Sequence, residues 1–321
     1  MRWLVAHQRD DGSWNFDHTK GLCQGLCRNP GTFASTTAST AIALLPFLGA
    51  GYTHQEGEHR EVVKRGFYYL STRVRITADG IDLQEGSMYS QGLAAIAFCE
   101  VYAMTGDPAM KDLAQGAIDF IVHAQDKKGG GWRYRPGEPG DTTVTGWELM
   151  ALKSAEMAKL KVPRSVIYLA EHFLDTVQRE SGAQYGYQVT GRNKGTHTTT
   201  AIGLLCRMYT GWTRSRPALQ RGVGYLSKWG PSEDDMYYNY YATQVLFHWG
   251  GRAWEPWNHR MHAFLVSTQA TAGHEAGSWH FGHSRNDVGG RLFNTAMGAM
   301  ILEVYYRHMP LYDHRVFPVE P

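Results

Sequence analysis

Cysteine is scarce in this chain: the four thiols among 321 residues, Cys23, Cys27, Cys99 and Cys206, are too few for a disulfide scaffold and leave the compartment open. No run of five like charges occurs and the net charge is only +2, which excludes the clustered basic footprint of a nucleic-acid partner. No apolar stretch approaches the ~20 residues of a membrane-spanning helix, although peripheral contact with a membrane stays compatible with the sequence. Alternation of the strand type never runs long enough to suggest a sheet. A paired-aspartate motif of the kind that holds a diphosphate through magnesium is also missing, so ionisation of a diphosphate is not expected.

What is present is repetition. An apolar helix end, a Gln, a short polar loop and a Gly and Trp recur as Trp3-Leu4, Gln8, Gly12 and Trp14, then as Phe120-Ile121, Gln125, Gly131 and Trp132. A third copy reads Phe264-Leu265, Gln269, Gly277 and Trp279. Weaker copies run through Tyr69-Leu70, Phe173-Leu174 with Gln178 and Tyr185, and Tyr225-Leu226. A period of roughly 40–50 residues marks units that cannot bury their apolar faces alone and must stack on neighbours. With 43% hydrophobic residues the chain can bury one continuous core, and residues 1–321 read as one domain.

Each unit resolves into two helices. First helices, rich in Lys, Arg, Glu and His, are expected at 58–74, 108–125, 163–178, 216–228 and 256–269, with a truncated one ending at Gln8. Second helices, rich in Ala, Gly, Ser and Thr, are expected at 35–49, 88–104, 142–159, 197–209, 236–249 and 290–306. Asp107-Pro108 and Val162-Pro163 put proline in a first turn, and Asp141 and Thr196 stand where helix caps belong. Small residues let helices approach closely, so the second helices are expected to form an inner ring. Both end units resemble internal ones rather than polar caps, which points to an all-α fold, an (α/α)6 toroid closed on itself. Because Trp3 and Leu4 already belong to a repeat, the natural chain is expected to start earlier, where any signal or anchor would lie.

The aromatic-Leu, Gln and Gly-x-Trp pattern resembles the QW repeat of squalene–hopene and oxidosqualene cyclases. The six helix pairs resemble the α/α toroid that those cyclases share with protein prenyltransferase β subunits. The chain is also similar to bacterial proteins described only by prenyltransferase or squalene-oxidase repeats. The resemblance implies a central cavity for an isoprenoid or other lipid. Triterpene cyclases place an Asp-x-Asp-Asp-Thr motif at the start of a cavity helix, and its middle carboxyl protonates an alkene. The corresponding stretch here is Glu138-Pro139-Gly140-Asp141-Thr142; glycine donates no proton, so cyclisation started by protonation is not expected. The zinc site of prenyltransferases has no counterpart either, because nine helical residues separate His197 from Cys206 by roughly 13 Å.

Several residues remain as site candidates. The Gln and Trp of each repeat (Gln8, Trp14, Gln125, Trp132, Gln269, Trp279) read as joints that satisfy helix ends and fill the gaps between units. Asp141, Thr145 and Glu148 share one helical face, and Asp141, Glu148 and His197 are the catalytic candidates. Tyr237, Tyr238, Tyr240 and Tyr241 crowd one helix start, with Tyr89, Trp147, Phe33 and Phe293 at equivalent starts. Together they would make an apolar, π-rich cup, with Arg291 and Asn294 as head-group contacts. His18, Cys23 and Cys27, beside Asp17, have the residue types of a structural zinc site, the only cofactor the sequence suggests. Cys23 and Cys27 would otherwise form a small disulfide or stay free. His274, His280 and His283 read as exposed loop histidines. Two other readings stand beside the lipid toroid. One is a polysaccharide lyase or hydrolase of the α/α-barrel type, in which Asp141, Glu148, His197 and Arg291 serve acid, base and carboxylate-binding roles. The other is a non-catalytic interaction scaffold. A dry aromatic pocket would favour lipid, an open polar groove glycan, and a filled centre a scaffold.

Overall fold

The structure is a computed structural model and describes residues 1–189, 195–282 and 287–305. Among the described residues there are twelve α-helices in two alternating sets. The outer set is α1 (Arg2–Ala6), α3 (Arg60–Thr72), α5 (Pro108–Ala124), α7 (Arg164–Val177), α9 (Pro217–Trp229) and α11 (Gly251–Thr268). The inner set is α2 (Thr36–Gly49), α4 (Met88–Thr105), α6 (Thr142–Met157), α8 (His197–Tyr209), α10 (Met236–Trp249) and α12 (Gly290–Leu302). Composition explains the division. In α3 the buried residues are Val63, Gly66, Phe67 and Leu70, a single i, i+3, i+4, i+7 stripe that leaves the other faces to water. In α2 every residue from Thr37 to Gly49 is buried, as befits a helix packed on all sides.

The inner helices pack in order, α2 on α4, α4 on α6, α6 on α8, α8 on α10 and α10 on α12, and α12 returns to α2. The fold is a closed (α/α)6 toroid. One contact recurs at three of its junctions: the loop of a unit lies over the inner helix of the unit before and accepts an amide that the helix cannot satisfy itself. Met88 N–H donates to Tyr134 O at 3.0 Å and Thr142 N–H to Tyr187 O at 2.9 Å. At the seam Arg291 N–H, on the last inner helix, donates to Asn29 O of the first loop at 2.9 Å.

The repeated Gln and Trp form a fixed joint. Gln8 Nε2 donates to the Gly12 carbonyl of its own loop and to Val62 O at the start of the next outer helix, at 2.9 and 2.8 Å. Gln125 does the same with Gly130 O and Val166 O, and Gln269 reaches Gly277 O. The indole N–H groups of Trp14, Trp132 and Trp279 each donate at 2.8 Å to a carbonyl near the end of the outer helix, on Leu4, Ile121 and Leu265. A second element of the joint spans all six units. The loop amides of Trp14, Leu83, Trp132, Tyr185, Ser232 and Trp279 are taken up by Thr40, Gln91, Thr145, Thr200, Asn239 and Thr295 of the inner helices, at 2.7–3.2 Å.

The helices differ from expectation at a few ends. Helix α11 starts at Gly251 rather than Pro256. Proline there forfeits one bond to the Arg252 carbonyl, while the added turn packs Trp254 against Phe247 and Tyr305. The expected end of the last inner helix, Tyr306, lies outside the described residues. Two short hairpins also occur, β1 (Arg75–Thr77) with β2 (Gly80–Asp82), and β3 (Gln178–Arg179) with β4 (Gln184–Tyr185). Strands of two or three residues are too short for alternation to register in a sequence. Gly80, at φ +121°, brings the first hairpin onto α5, where a Cβ would sit 2.5 Å from the Gly116 carbonyl. Among the described residues no helix is long and apolar enough to cross a membrane.

Candidate functional site

Some of the aromatic residues expected to form a cup are brought together in one cluster. Trp147 of α6 lies 5.9 Å from Tyr240 and 5.8 Å from Tyr241 of α10, so the contact reaches past α8, which stands between those helices in the ring. All three are buried. Tyr237, half-buried, extends the cluster to Phe293 of α12 at 6.1 Å. Tyr238 points the other way: its hydroxyl donates to Gly230 O at 3.1 Å and its ring packs on Trp257. His197 stacks on Trp229 at 4.0 Å, between the rings of helices, and is not brought to Asp141. Burial there lowers its pKa and Asp235 opposes the shift. Arg291 is engaged at the seam by Arg28 O, Asn29 Oδ1, Ser278 Oγ and Glu275. Asn294 donates to Gly290 O one turn back at 3.0 Å.

Asp141 and Glu148 share a helix face without sharing a site. Glu148 is fully buried against α4, where both its oxygens lie 3.1 Å from where a Cβ on Gly92 would be. Neither oxygen has a hydrogen-bond partner, and burial raises its pKa well above the ordinary carboxylate value. Asp141 sits instead at the N-terminus of α6, also fully buried. Its Oδ1 caps α6, accepting from Thr143 N and Val144 N at 2.9 Å. Its Oδ2 is buried without a hydrogen-bond partner, 3.9 Å from Arg133 Nε. Burial raises the Asp141 pKa, and the bonds from Thr143 and Val144 only partly oppose this.

Tyrosines surround that carboxyl. Thr143 Oγ1 donates to Asp141 Oδ1 at 2.6 Å and in turn accepts the Tyr89 hydroxyl at 2.7 Å. The Tyr134 ring lies 6.1 Å from Tyr89, and its hydroxyl is 3.0 Å from that of Tyr187. Burial, followed by the Asp141 charge, raises the pKa of Tyr89. Burial is also the largest cause of the raised pKa of Tyr187, so both hydroxyls are neutral donors.

Beside Tyr134 opens a cleft of about 540 Å³, lined mainly by Arg73, Arg75, Asp82, Gln84, Glu85 and Arg135. Glu85 is committed within it. One oxygen accepts from Ser35 Oγ and Thr37 N, the other from Thr36 Oγ1 and the Arg73 guanidinium, at 2.7–3.1 Å. Burial works against its ionisation, yet those donors outweigh it and its pKa is lowered. The lining therefore mixes charged side chains with apolar surface from Leu83 and Pro136.

The first loop holds a separate constellation. Cys23, Cys27, His7 and His274 place one sulfur or nitrogen atom each within 4.8 Å of one another. Cys23 and Cys27 are free and buried. His18 is not part of this set: its Nδ1 faces the Phe16 carbonyl at 3.3 Å and its ring lies 5.7 Å from that of His7. His274, expected as a plain loop histidine, turns its Nδ1 toward Cys27. His283 lies outside the described residues.

No family model and no curated protein matches the chain. Solved structures do. Cellobiose 2-epimerase from Bacillus thermoamylovorans is similar at TM-score 0.66 and 10% identity, over 95% of this chain and 96% of that one. A GH76A α-1,6-mannanase of Salegentibacter sp., an inactive double Asp→Asn variant in complex with α-1,6-mannotriose, is similar at TM-score 0.63 and 10% identity, over 94% and 96% of the two chains. The GH76 α-mannanase of Bacteroides thetaiotaomicron is similar at TM-score 0.59 and 13% identity, over 84% and 85%. These likenesses establish the ring architecture and overturn the resemblance to squalene-type cyclases and prenyltransferases, and with it the lipid or isoprenoid partner. The physical reason is visible in the joints. The Gln and Trp groups satisfy helix ends and say nothing about a substrate.

Arg133, Tyr134, Arg135 and Tyr187 were not among the sequence candidates. A signal for the tyrosines exists. An aromatic residue stands two positions after the joint aromatic in four units, as Trp14 and Phe16, Trp132 and Tyr134, Tyr185 and Tyr187, Trp279 and Phe281. Only the two middle copies carry hydroxyls.

Proposed function

We propose that this chain is a carbohydrate-active toroid that takes the end of an oligosaccharide into the cleft at the mouth of its inner ring. The observation that carries this reading is the character of the opening: charged and amide side chains stand in it beside apolar surface, and Tyr134, next in the chain to the lining residue Arg135, is 41% exposed. Sugars offer many hydroxyls to fixed donors and acceptors and an apolar ring face to an aromatic side chain; a hydrocarbon chain offers neither. The mannotriose held by a mannanase of similar fold supports the same reading.

Asp141 is the group assigned to proton transfer. Burial raises its pKa, the direction that general acid catalysis requires. Arg133 is placed to hold the charge once the proton leaves. Tyr89 and Thr143 fix the carboxyl's orientation through Oδ1. Binding without turnover is the second reading, favoured by the commitment of Asp141 Oδ1 to capping α6 and of all Glu85 oxygens to α2 and Arg73.

The test is incubation with α-1,6-mannotetraose, cellobiose and a uronic-acid oligosaccharide, followed by proton NMR of anomeric signals and ultraviolet absorbance for unsaturated products. Hydrolysis, epimerisation or elimination supports catalysis. Saturable heat of binding without product supports the second reading. Absence of both with every sugar refutes the proposal.

A further inference from the structure

We propose that His7, Cys23, Cys27 and His274 bind one zinc ion that clasps the first unit of the ring to the last. Cys27 Sγ lies 3.1 Å from His274 Nδ1 and 3.4 Å from His7 Nε2, and Cys23 Sγ lies 3.8 Å from His274 Nδ1. Zinc–sulfur bonds of about 2.3 Å and zinc–nitrogen bonds of about 2.0 Å in a tetrahedron hold their donor atoms about 3.3–3.8 Å apart. A Cys2His2 set with a Cys-x3-Cys spacing suits zinc in preference to harder cations.

The surroundings are arranged for a cation. His7 Nδ1 is 2.7 Å from the Trp3 carbonyl; a carbonyl only accepts, so Nδ1 carries the proton and Nε2 turns its lone pair inward. That is the orientation an outer hydrogen bond gives a metal-bound histidine. Cys27 N–H donates to Cys23 Sγ at 3.3 Å, which steadies a thiolate. Without an ion, a buried lone pair on His7 and two thiols, weak donors at best, converge with little to satisfy them. On binding, zinc displaces the two thiol protons to solvent and its charge balances both thiolates.

Position gives the ion its role. Cys27 and His274 are 247 positions apart, and His7 closes the short helix α1, which offers little packing of its own. The residues that follow two of the ligands are also tied, Arg28 N donating to Glu275 at 2.8 Å with the guanidinium alongside. The clasp therefore fixes the seam that the amide of Arg291 also closes. The proposal is independent of the carbohydrate reading.

The experiment takes the full chain purified without added metal. Metal content is measured by plasma mass spectrometry, the zinc is exchanged for Co2+, and thermal unfolding is followed with and without a strong chelator. The expected results are one zinc per chain, a tetrahedral Co2+ spectrum with thiolate charge transfer, and a lower midpoint on chelation. His274→Ala should weaken zinc binding by about 100-fold or more, the scale on which outer-sphere changes already act, while His18→Ala retains the ion. If His274→Ala does not fold, the Co2+ spectrum of the unaltered chain decides. A chain that takes up neither metal, a Co2+ spectrum without thiolate bands, or equal loss in His18→Ala and His274→Ala would overturn the proposal.

Discussion

Glu148→Gln replaces a carboxyl that is fully buried against Gly92 and has no partner for either oxygen. An ionised carboxylate in that setting is far more costly than the neutral acid, and burial accordingly raises the Glu148 pKa well above 4.5. The unfolded chain releases this proton near the ordinary value while the folded chain keeps it. Over the interval between the two pKa values the folded state binds one more proton, so stability is full below the unfolded value and falls as pH rises. The slope is about 1.4 kcal/mol per pH unit. Glutamine copies the neutral acid in shape and cannot ionise. Raising the pH above the unfolded value should therefore shift the stability difference in favour of Glu148→Gln, by up to about 1.4 kcal/mol for each pH unit below the folded pKa. Urea unfolding followed by tryptophan fluorescence measures both proteins over that pH range. Titrations of Asp141 and the buried histidines are common to the two and cancel in the difference. Parallel pH dependences would refute the reasoning and require a partner for Glu148 that keeps its pKa near normal.

Three further outcomes are expected. Trp132→Phe removes the donor to Ile121 O and leaves a buried carbonyl unpaired, so urea unfolding should show a loss of about 1–3 kcal/mol. Gly203→Ala would set a Cβ 2.2 Å from the buried Tyr185 ring and should cost at least about 1–3 kcal/mol, whereas Gly224→Ala, on the exposed side of α9 with nothing within 4 Å, should gain up to about 1 kcal/mol in the same assay. Asp141→Asn keeps a capping oxygen but cannot deliver the proton. With a sugar that is turned over, kcat should fall about 10²–10⁴-fold while the midpoint of thermal unfolding moves little, and retention of kcat would remove Asp141 from the chemistry.

The ring was legible because its joints repeat in the sequence. Gln8 and Trp14 meet the same helix-end carbonyls as Gln125 and Trp132, and that necessity spaces them alike. The inner position of α2 could be read from Ala, Ser and Thr where α3 carries Arg, Lys and Tyr. The site was harder to read, since it lies in loops where no period applies. Tyr134 and Tyr187 carry the aromatic-x-aromatic signature of the joint, but only the fold shows that they face the mouth while Phe16 and Phe281 turn into the core. Asp141 was visible as a cap, and its second oxygen was not. His7 and His274 stand 267 positions apart, so a sequence reading that seeks metal ligands by local spacing reaches for His18 instead. The cyclase resemblance misled for a related reason: a motif that exists to join helices records the fold and not the ligand.

The most direct measurement of the carbohydrate reading is a crystal of the chain soaked with α-1,6-mannotriose or cellobiose and examined for density at the mouth of the ring. A sugar in the cleft beside Tyr134, with hydroxyls in hydrogen-bond reach of Arg73, Arg75 or Arg135, is the predicted result. A clear cleft at sugar concentrations that occupy a mannanase, together with a hydrocarbon chain from the expression host lodged among Trp147, Tyr237 and Tyr241, would contradict it.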